Sequence, residues 1–457
     1  MGRASNAAPR IDLLQLVDVL QAEVTPELCR AAFGAVRTTE RRRVWTLEAL
    51  VRFWTAVVVR APVALTQALQ DALDQRDPLF PRVVASPEAF FQRCRDLRPA
   101  FFAEVFTRVT TRLLGLRPPR YAPALAAVQA RFAAVVVVDG SGVAAIAHRL
   151  KMLWPDRRVV LPGAVVAVYD LGRGLCRHLR FSADAFVSEL RQAQAAVADL
   201  PADTLVVGDR AFGHPLFFAH LQQHGCWGVV RRNRVVKLQR VACLSRARGA
   251  DGELTDWQVR AGTGRAVPPQ PLRWIRWRHG RTCYEVLTNV LAPERLSAAE
   301  AIALYTARWS VERMYFDLKE VLNLNRVYAA NPNAVAMQVY AAGLVYNAMR
   351  VAQADAAAAV GLPPEQLSPA KLYPRLAAAC HLYFGAQLWE HAMRQLNPSR
   401  RLRWIDWHQQ PWATVPVAAV TVEPRSDHRR HRRFCAARAH HTSFTRVRGG
   451  RRFTGLT

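Results

Sequence analysis

Three hydrophobic rhythms succeed one another along the chain. From residue 10 to about 128, apolar residues recur at helical spacing: Leu13, Leu14, Val17 and Leu20 form one stripe, and Leu50, Phe53, Trp54 and Val57 another. At Phe132 the rhythm breaks. Ala133–Val138 is a continuous β-branched run that predicts a strand covered on both faces. Strands at about Gly163–Tyr169 and Leu175–Phe181, a helix over Phe186–Leu200 and a buried strand at Thr204–Val207 follow. Two hairpin strands, a helix and a further strand predict a mixed α/β sheet. From Cys226 to Val290 the pattern turns to β: Leu272–Trp277 alternates, His279-Gly280 supplies a turn, and Cys283–Val290 returns. Helices then run over Ser297–Asn323, where Ser297 and Glu300 form a capping box, over Ala334–Ala354 and over Pro369–Leu396. These shifts divide the chain into segments 1–128, 129–225, 226–292, 293–398 and 399–457.

Charge changes this picture more than composition does. With 51% hydrophobic residues the chain holds ample core material and is no disordered polymer. Lys and Arg total 63 against 35 Asp and Glu, a formal charge of +28, which points to a polyanionic partner, nucleic acid before membrane. Only Lys151, Lys237, Lys319 and Lys371 are lysines, so a GC-rich genome is a competing source of the arginine excess. The tail Arg425–Thr457 holds ten arginines and one acid, Asp427. Arg41-Arg42-Arg43 precedes a helix, either as a phosphate contact or as a solvated turn. No apolar run of ~18 residues predicts a membrane span, and acids at Asp12 and Asp18 interrupt what a signal peptide would need. Eight scattered cysteines without a C-x-x-C pair read as a reduced, cytosolic protein. His428, His431, Cys435 and His440 read as solvated tail rather than as a metal site.

Three carboxylates carry the candidate chemistry. Asp139 ends the valine run and Asp209 ends Leu205–Gly208, so both emerge at strand carboxyl edges, where ligands gather in α/β sheets. Singly, such an aspartate is a turn former or helix cap. As a pair on neighbouring strands they need a counter-ion, and oxygen-only ligands suit Mg2+. Glu312 lies on the predicted helix Ser297–Asn323 with Tyr305, Arg308 and Lys319. At ~100° per residue the four fall within an arc of about 60°. Val311, Met314, Leu318 and Val321 form the opposite, apolar side. The stripe suits a metal and phosphates together; ordinary helix ion pairs of Glu312 with Arg308 and Lys319 are the alternative.

Tyr305-Arg308-Glu312-Lys319, spaced Y-x2-R-x3-E-x6-K, resembles the Y-R-E-K signature of DDE-type bacterial insertion-sequence transposases, the insertion-sequence-four group in particular. Val138-Asp139-Gly140-Ser141 and Asp209-Arg210-Ala211-Phe212 resemble that group's two aspartate motifs. The likeness spans about Phe132 to Arg350.

The resemblance implies a ribonuclease-H-like core, interrupted by a β-rich insertion at 226–292, behind a helical N-terminal DNA-binding region. It implies that Asp139, Asp209 and Glu312 hold two Mg2+ ions, with Mn2+ able to substitute. Tyr305, Arg308 and Lys319 would bind phosphates of double-stranded DNA, with Arg231 and Arg232 as further DNA contacts. Some relatives stack an insertion-domain tryptophan on a flipped base; Tyr284 stands there in this chain, with Trp274 and Trp277 on the facing strand. A cytoplasmic, nucleoid-associated enzyme acting as a homodimer on two DNA ends is implied. A transposase retained only as a DNA-binding protein, and a structure-selective nuclease on the same core, are the competing expectations.

Overall fold

The computed structural model describes residues 10–36, 43–142, 163–184, 187–249, 252–262, 268–329, 331–396, 407 and 410–422. Arg41, Arg42, Phe186, the tail from Arg425 and its histidines and cysteine lie outside the described residues. Met1–Val420 forms one compact unit, and Thr421–Thr457 is divided from it.

Six α-helices lie in the first part of the described residues: α1 Gln15–Glu23, α2 Pro26–Val36, α3 Leu47–Arg60, α4 Leu65–Leu73, α5 Pro87–Asp96 and α6 Ala100–Leu116. Thr46 and Ser86 cap α3 and α5 through their hydroxyl oxygens, which accept the Ala49 and Ala89 amides. One expectation fails at the start. Arg10–Asp12 is not helical but a strand, β1, because it pairs with Thr414–Pro416, some 400 residues away, and Arg10 Nε donates to Thr414 Oγ1 at 2.7 Å. Local periodicity carries no information about so distant a partner.

After the short helix α7 (Ala126–Gln129) come β2 (Ala134–Gly142), β3 (Ala164–Asp170) and β4 (Leu175–Ser182). Then follow α8 (Glu189–Val197), β5 (Thr204–Gly208), α9 (Pro215–Gln223) and β6 (Trp227–Arg231). Strands β7 (Leu238–Gly249), β8 (Gly252–Ala261), β9 (Gln270–His279) and β10 (Thr282–Thr288) complete one nine-stranded sheet. Its order is β4-β3-β2-β5-β6-β10-β9-β8-β7, with β2, β5 and β6 parallel and the other pairs antiparallel. The alternating segment after Cys226 is thus a continuation of the central sheet. Gly280 makes the β9–β10 turn at φ +55°, a conformation that costs glycine little.

Both sheet faces are covered, which is why β2 reads as unbroken valine. Val135 and Val137 join the core shared with the N-terminal helices, while Val136 and Val138 pack against Ala193 and Val197 of α8 and Phe217 of α9. The first face is closed by α10 (Ala298–Ala307), α11 (Trp309–Phe316) and the long α12 (Pro332–Ala359), with α13 (Pro369–Leu396) and β11 (Thr414–Pro416) following. Asn347 of α12 is fully buried and acts as a stand-in strand: its side chain accepts the Cys176 amide and donates to the Cys176 carbonyl and to Thr110 Oγ1, tying β4 to α6. The result is a mixed α/β architecture around a large mixed sheet.

The expected single helix Ser297–Asn323 is a second correction. Its capping box at Ser297 and Glu300 forms, but the helix breaks at Arg308, whose amide bonds the Tyr305 carbonyl. Beyond α11, Asp317–Val321 widens into a π-helical turn closed by Leu322 N–H on the Asp317 carbonyl at 2.8 Å. Periodicity reports an average twist; the tight turn and the wide one nearly cancel in it.

Candidate active site at the sheet edge

Strands β2 and β5 run parallel with Val137 opposite Val207, so two residues further on Asp139 and Asp209 stand at the same level. Alternation along the strands turns both toward the face that α10 and α11 cover. Asp139 is only 3% exposed. Asp209 is half-buried, and its Oδ1 also accepts the Ala211 amide at 2.6 Å, so the turn-capping role is real and does not consume the second oxygen. One strand over, β6 sets Arg231 at the level of Asp209, exposed and on the same face.

Helix α11 is pinned onto this edge. Tyr315 donates its hydroxyl to the Asp139 carbonyl at 2.8 Å, and Lys319 Nζ donates to Ser141 Oγ at 2.6 Å. The two bonds hold the helix that carries Glu312 against the strand that carries Asp139. Neither Tyr315 nor the role of Ser141 was legible in the sequence, although Ser141 stands in the first aspartate motif. The same holds for Glu189, at the start of α8. A Cβ on Gly140 would come within 2.6 Å of its carboxylate, so glycine is what lets that side chain approach the strand end.

The Tyr305-Arg308-Glu312-Lys319 stripe is not a solvent face. Tyr305 and Arg308 are 3% and 5% exposed, and Glu312 and Lys319 are half-buried. Arg308 Nη2 donates to Glu312 Oε1 at 2.9 Å, while its Nε and Nη1 lie buried without a hydrogen-bond acceptor. Burial pulls the guanidinium toward a lower pKa, but Tyr305, Glu312 and Asp139 outweigh it and hold the group above its ordinary value. Arg308 therefore serves as the internal counter-cation of the carboxylates, and two of its nitrogens still lack an acceptor.

The other expected contacts divide by face. Tyr284 stacks on Trp277, ring centroids 5.7 Å apart, and touches Tyr305 at 5.8 Å, extending an aromatic surface from the β-rich strands to α10. Trp274 points the other way and lies under Arg232 and Arg240. Arg232 shares that far face: it bonds Glu285 at 3.4 Å and is not beside Arg231. Adjacent residues of a strand face opposite ways, so the Arg231-Arg232 pair splits between the two sides.

Asp317, in the π-helical turn, is a buried carboxylate that sequence reading passed over. Burial raises its pKa to about 6 against the pull of Arg350 and Arg313, and its Oδ2 has no hydrogen-bond partner. A raised folded-state pKa means stability that is fully present below about pH 4 and lost as pH rises through 6. Asp317→Asn is therefore expected to exceed the natural protein in stability at pH 8, by up to about 3 kcal/mol. Urea midpoints compared at pH 8 and pH 5 check it, since the advantage shrinks as pH falls.

The donor chemistry of Asp139, Asp209 and Glu312, oxygen only and hard, fits a divalent cation such as Mg2+. Among the described residues, no group of three or more His, Cys, Asp or Glu side chains is already gathered as a metal cage. The fit is thus one of donor type and of a shared sheet edge, with Arg308 at present holding Glu312.

The family model of the transposase DDE domain matches residues 133–348, from β2 to most of α12. No curated protein matches the chain. The matched domain supports a DDE-type transposase, an enzyme class that cuts and joins DNA and generally uses divalent metals. No described helix is long and apolar enough to cross a membrane.

Proposed function

We propose that this DDE-type transposase moves an insertion sequence by cut-and-paste, cutting the DNA at the element's terminal repeats and joining the freed ends to a target. Asp139, Asp209 and Glu312 are the catalytic carboxylates and hold Mg2+, two ions in all, which Mn2+ can replace. The observation that carries this reading is the equal level of Asp139 and Asp209 on adjacent parallel strands, facing the helix of Glu312 inside the matched segment. Bound metal supplies a Lewis acid that activates water and stabilises the leaving 3′ oxygen.

The chain's own residues hold the DNA. Arg308, whose buried Nε and Nη1 lack an acceptor, suits a charge-assisted hydrogen bond to a phosphate, and a paired grip would draw on Nη2, which now donates to Glu312. Taking that phosphate would loosen its hold on Glu312, so end binding and readiness of the carboxylates are coupled. Lys319 offers a point charge braced by Ser141, and exposed Arg231 offers another beside Asp209. Tyr284 and Trp277, backed by the buried Tyr305, give an aromatic surface on the same side, where an unpaired base can stack. We assign residues 129–225 and 293–398 to the catalytic core, 226–292 to a β-rich insertion, 1–128 to recognition of the terminal repeat and 399–457 to a basic tail. Two copies act together, one on each end. Incubation with Mg2+ or Mn2+ and the DNA that flanks its own gene is expected to yield double-strand breaks at inverted repeats. Binding without breaks would instead mark a DNA-binding protein that no longer cuts.

A further inference from the structure

The strands β7–β10 carry a second cationic surface, on the side turned away from Asp209. Their registers build it row by row. Arg248, Glu253, Arg278 and Cys283 stand across the four strands in one row; Arg246, Thr255, Arg276 and Glu285 form the next. The third row is Cys243, Trp257 and Trp274. Arg240 lies over Trp257 and Trp274, and Arg232 over Trp274, at 4.6–5.1 Å from the ring centroids. Val259, Leu272 and Leu287, of the same alternation, belong to the core opposite the one that contains Val311 and Tyr315. The face is therefore separate from the carboxylate site.

Six guanidinium groups share this face with two carboxylates, Glu253 and Glu285. Arg246 bonds Glu253 at 2.7 Å, and Arg246, Arg276 and Arg248 together hold that carboxyl below its ordinary value. Arg232 bonds Glu285. That leaves several guanidinium groups in excess, spaced ~7 Å along a strand and ~10 Å across the intervening one. Like charges so placed on a sheet cost stability unless an anion covers them. A single small anion cannot span the array, whereas a phosphate backbone can, and each guanidinium can grip a phosphate through paired hydrogen bonds. The tryptophans beneath Arg232 and Arg240 keep those planes in place before any ligand arrives.

We propose that this face binds a stretch of duplex DNA other than the one being cut, through its phosphates and without sequence preference. The choice of duplex DNA rests on the transposase reading; the surface itself does not. Because the carboxylates face the other side of the sheet, one protomer can hold two duplex segments at once.

The test uses the full chain and a 40-base-pair duplex of arbitrary sequence. Each phosphate contact contributes about 0.9 to the slope of log K against log salt. The triple variant Arg246→Gln, Arg248→Gln, Arg278→Gln is expected to bind more weakly and to lower that slope by about 2 to 3. These positions are on the surface, so the fold tolerates the change. In the unaltered protein, the duplex is expected to slow alkylation of Cys243 and Cys283, exposed thiols on this face, as read peptide by peptide in a mass spectrometer. An unchanged slope, or thiols that react equally fast with DNA present, overturns the proposal. So does an RNA hairpin that competes as well as the duplex. If the slope is unchanged while DNA cleavage still depends on Glu312, only this surface fails. If the slope falls but the natural protein never cuts, the surface stands and the cleavage reading fails.

Discussion

Glu312→Gln is expected to abolish metal-dependent cleavage of DNA while leaving DNA binding near its original strength. The glutamine keeps the side chain's length and an oxygen for Arg308 to donate to, so the bond that now measures 2.9 Å survives in weaker form. What disappears is one negative charge from a set of three hard donors. A loss of about 4 kcal/mol of transition-state stabilisation corresponds to roughly three orders of magnitude in rate. Gel-shift and cleavage assays on the same flanking DNA, with Mg2+ and with Mn2+, separate binding from chemistry. Undiminished cleavage by this variant would remove Glu312 from the catalytic set. Parallel loss of binding would instead mean that Arg308, freed from its carboxylate partner, had disturbed the DNA-contacting surface.

The second large effect is on stability. Arg273 is fully buried between β8 and α10: Nε and Nη2 donate to the Asp256 carboxylate, and Nη1 donates to the Val290 and Leu296 carbonyls at 3.1 and 2.7 Å. It thereby ties the β-rich strands to the backbone immediately before Ser297, the cap of the helix that leads to Arg308 and Glu312. Asp256→Ala strands a buried guanidinium and is expected to cost about 3–5 kcal/mol. Chemical denaturation measures it. Combining it with Arg273→Met should cost less than the two single changes added together, because the stranded charge is gone. Strict additivity would show that the two side chains do not act as a pair.

Asp139 and Asp209 stand out because a valine run covered on both faces has to end in something polar, and that end is visible in one dimension. Their equal level is not, since it depends on the register of two strands separated by β3, β4 and α8. Arg308 was legible as a residue of interest and misread in its surroundings. Helical spacing sets it on a stripe with Glu312, but cannot tell an accessible stripe from one packed against the sheet. The Arg231-Arg232 pair looked like one basic patch; alternation on β6 and the contact with Glu285 divide it between two faces. Glu189, Tyr315 and Ser141 had no local signal that marked their partners. Glu189 and Tyr315 meet the Asp139 strand from elements distant in sequence, and Ser141, on that strand, is met by Lys319 from another.

By itself the sequence determined the succession of helices, mixed sheet and β-rich strands, the candidate carboxylates and the excess of positive charge. These follow from the periods of hydrophobic residues and from counting, which are local or additive properties. Only the tertiary structure decided which side of each strand faces the site, that Arg308 is buried as the carboxylates' counter-ion, and that six arginines, five from β7 and β9 and Arg232 just after β6, share one surface. Those outcomes depend on register, and register is set by packing between segments far apart in the chain, where one residue of slip moves every side chain to the opposite face.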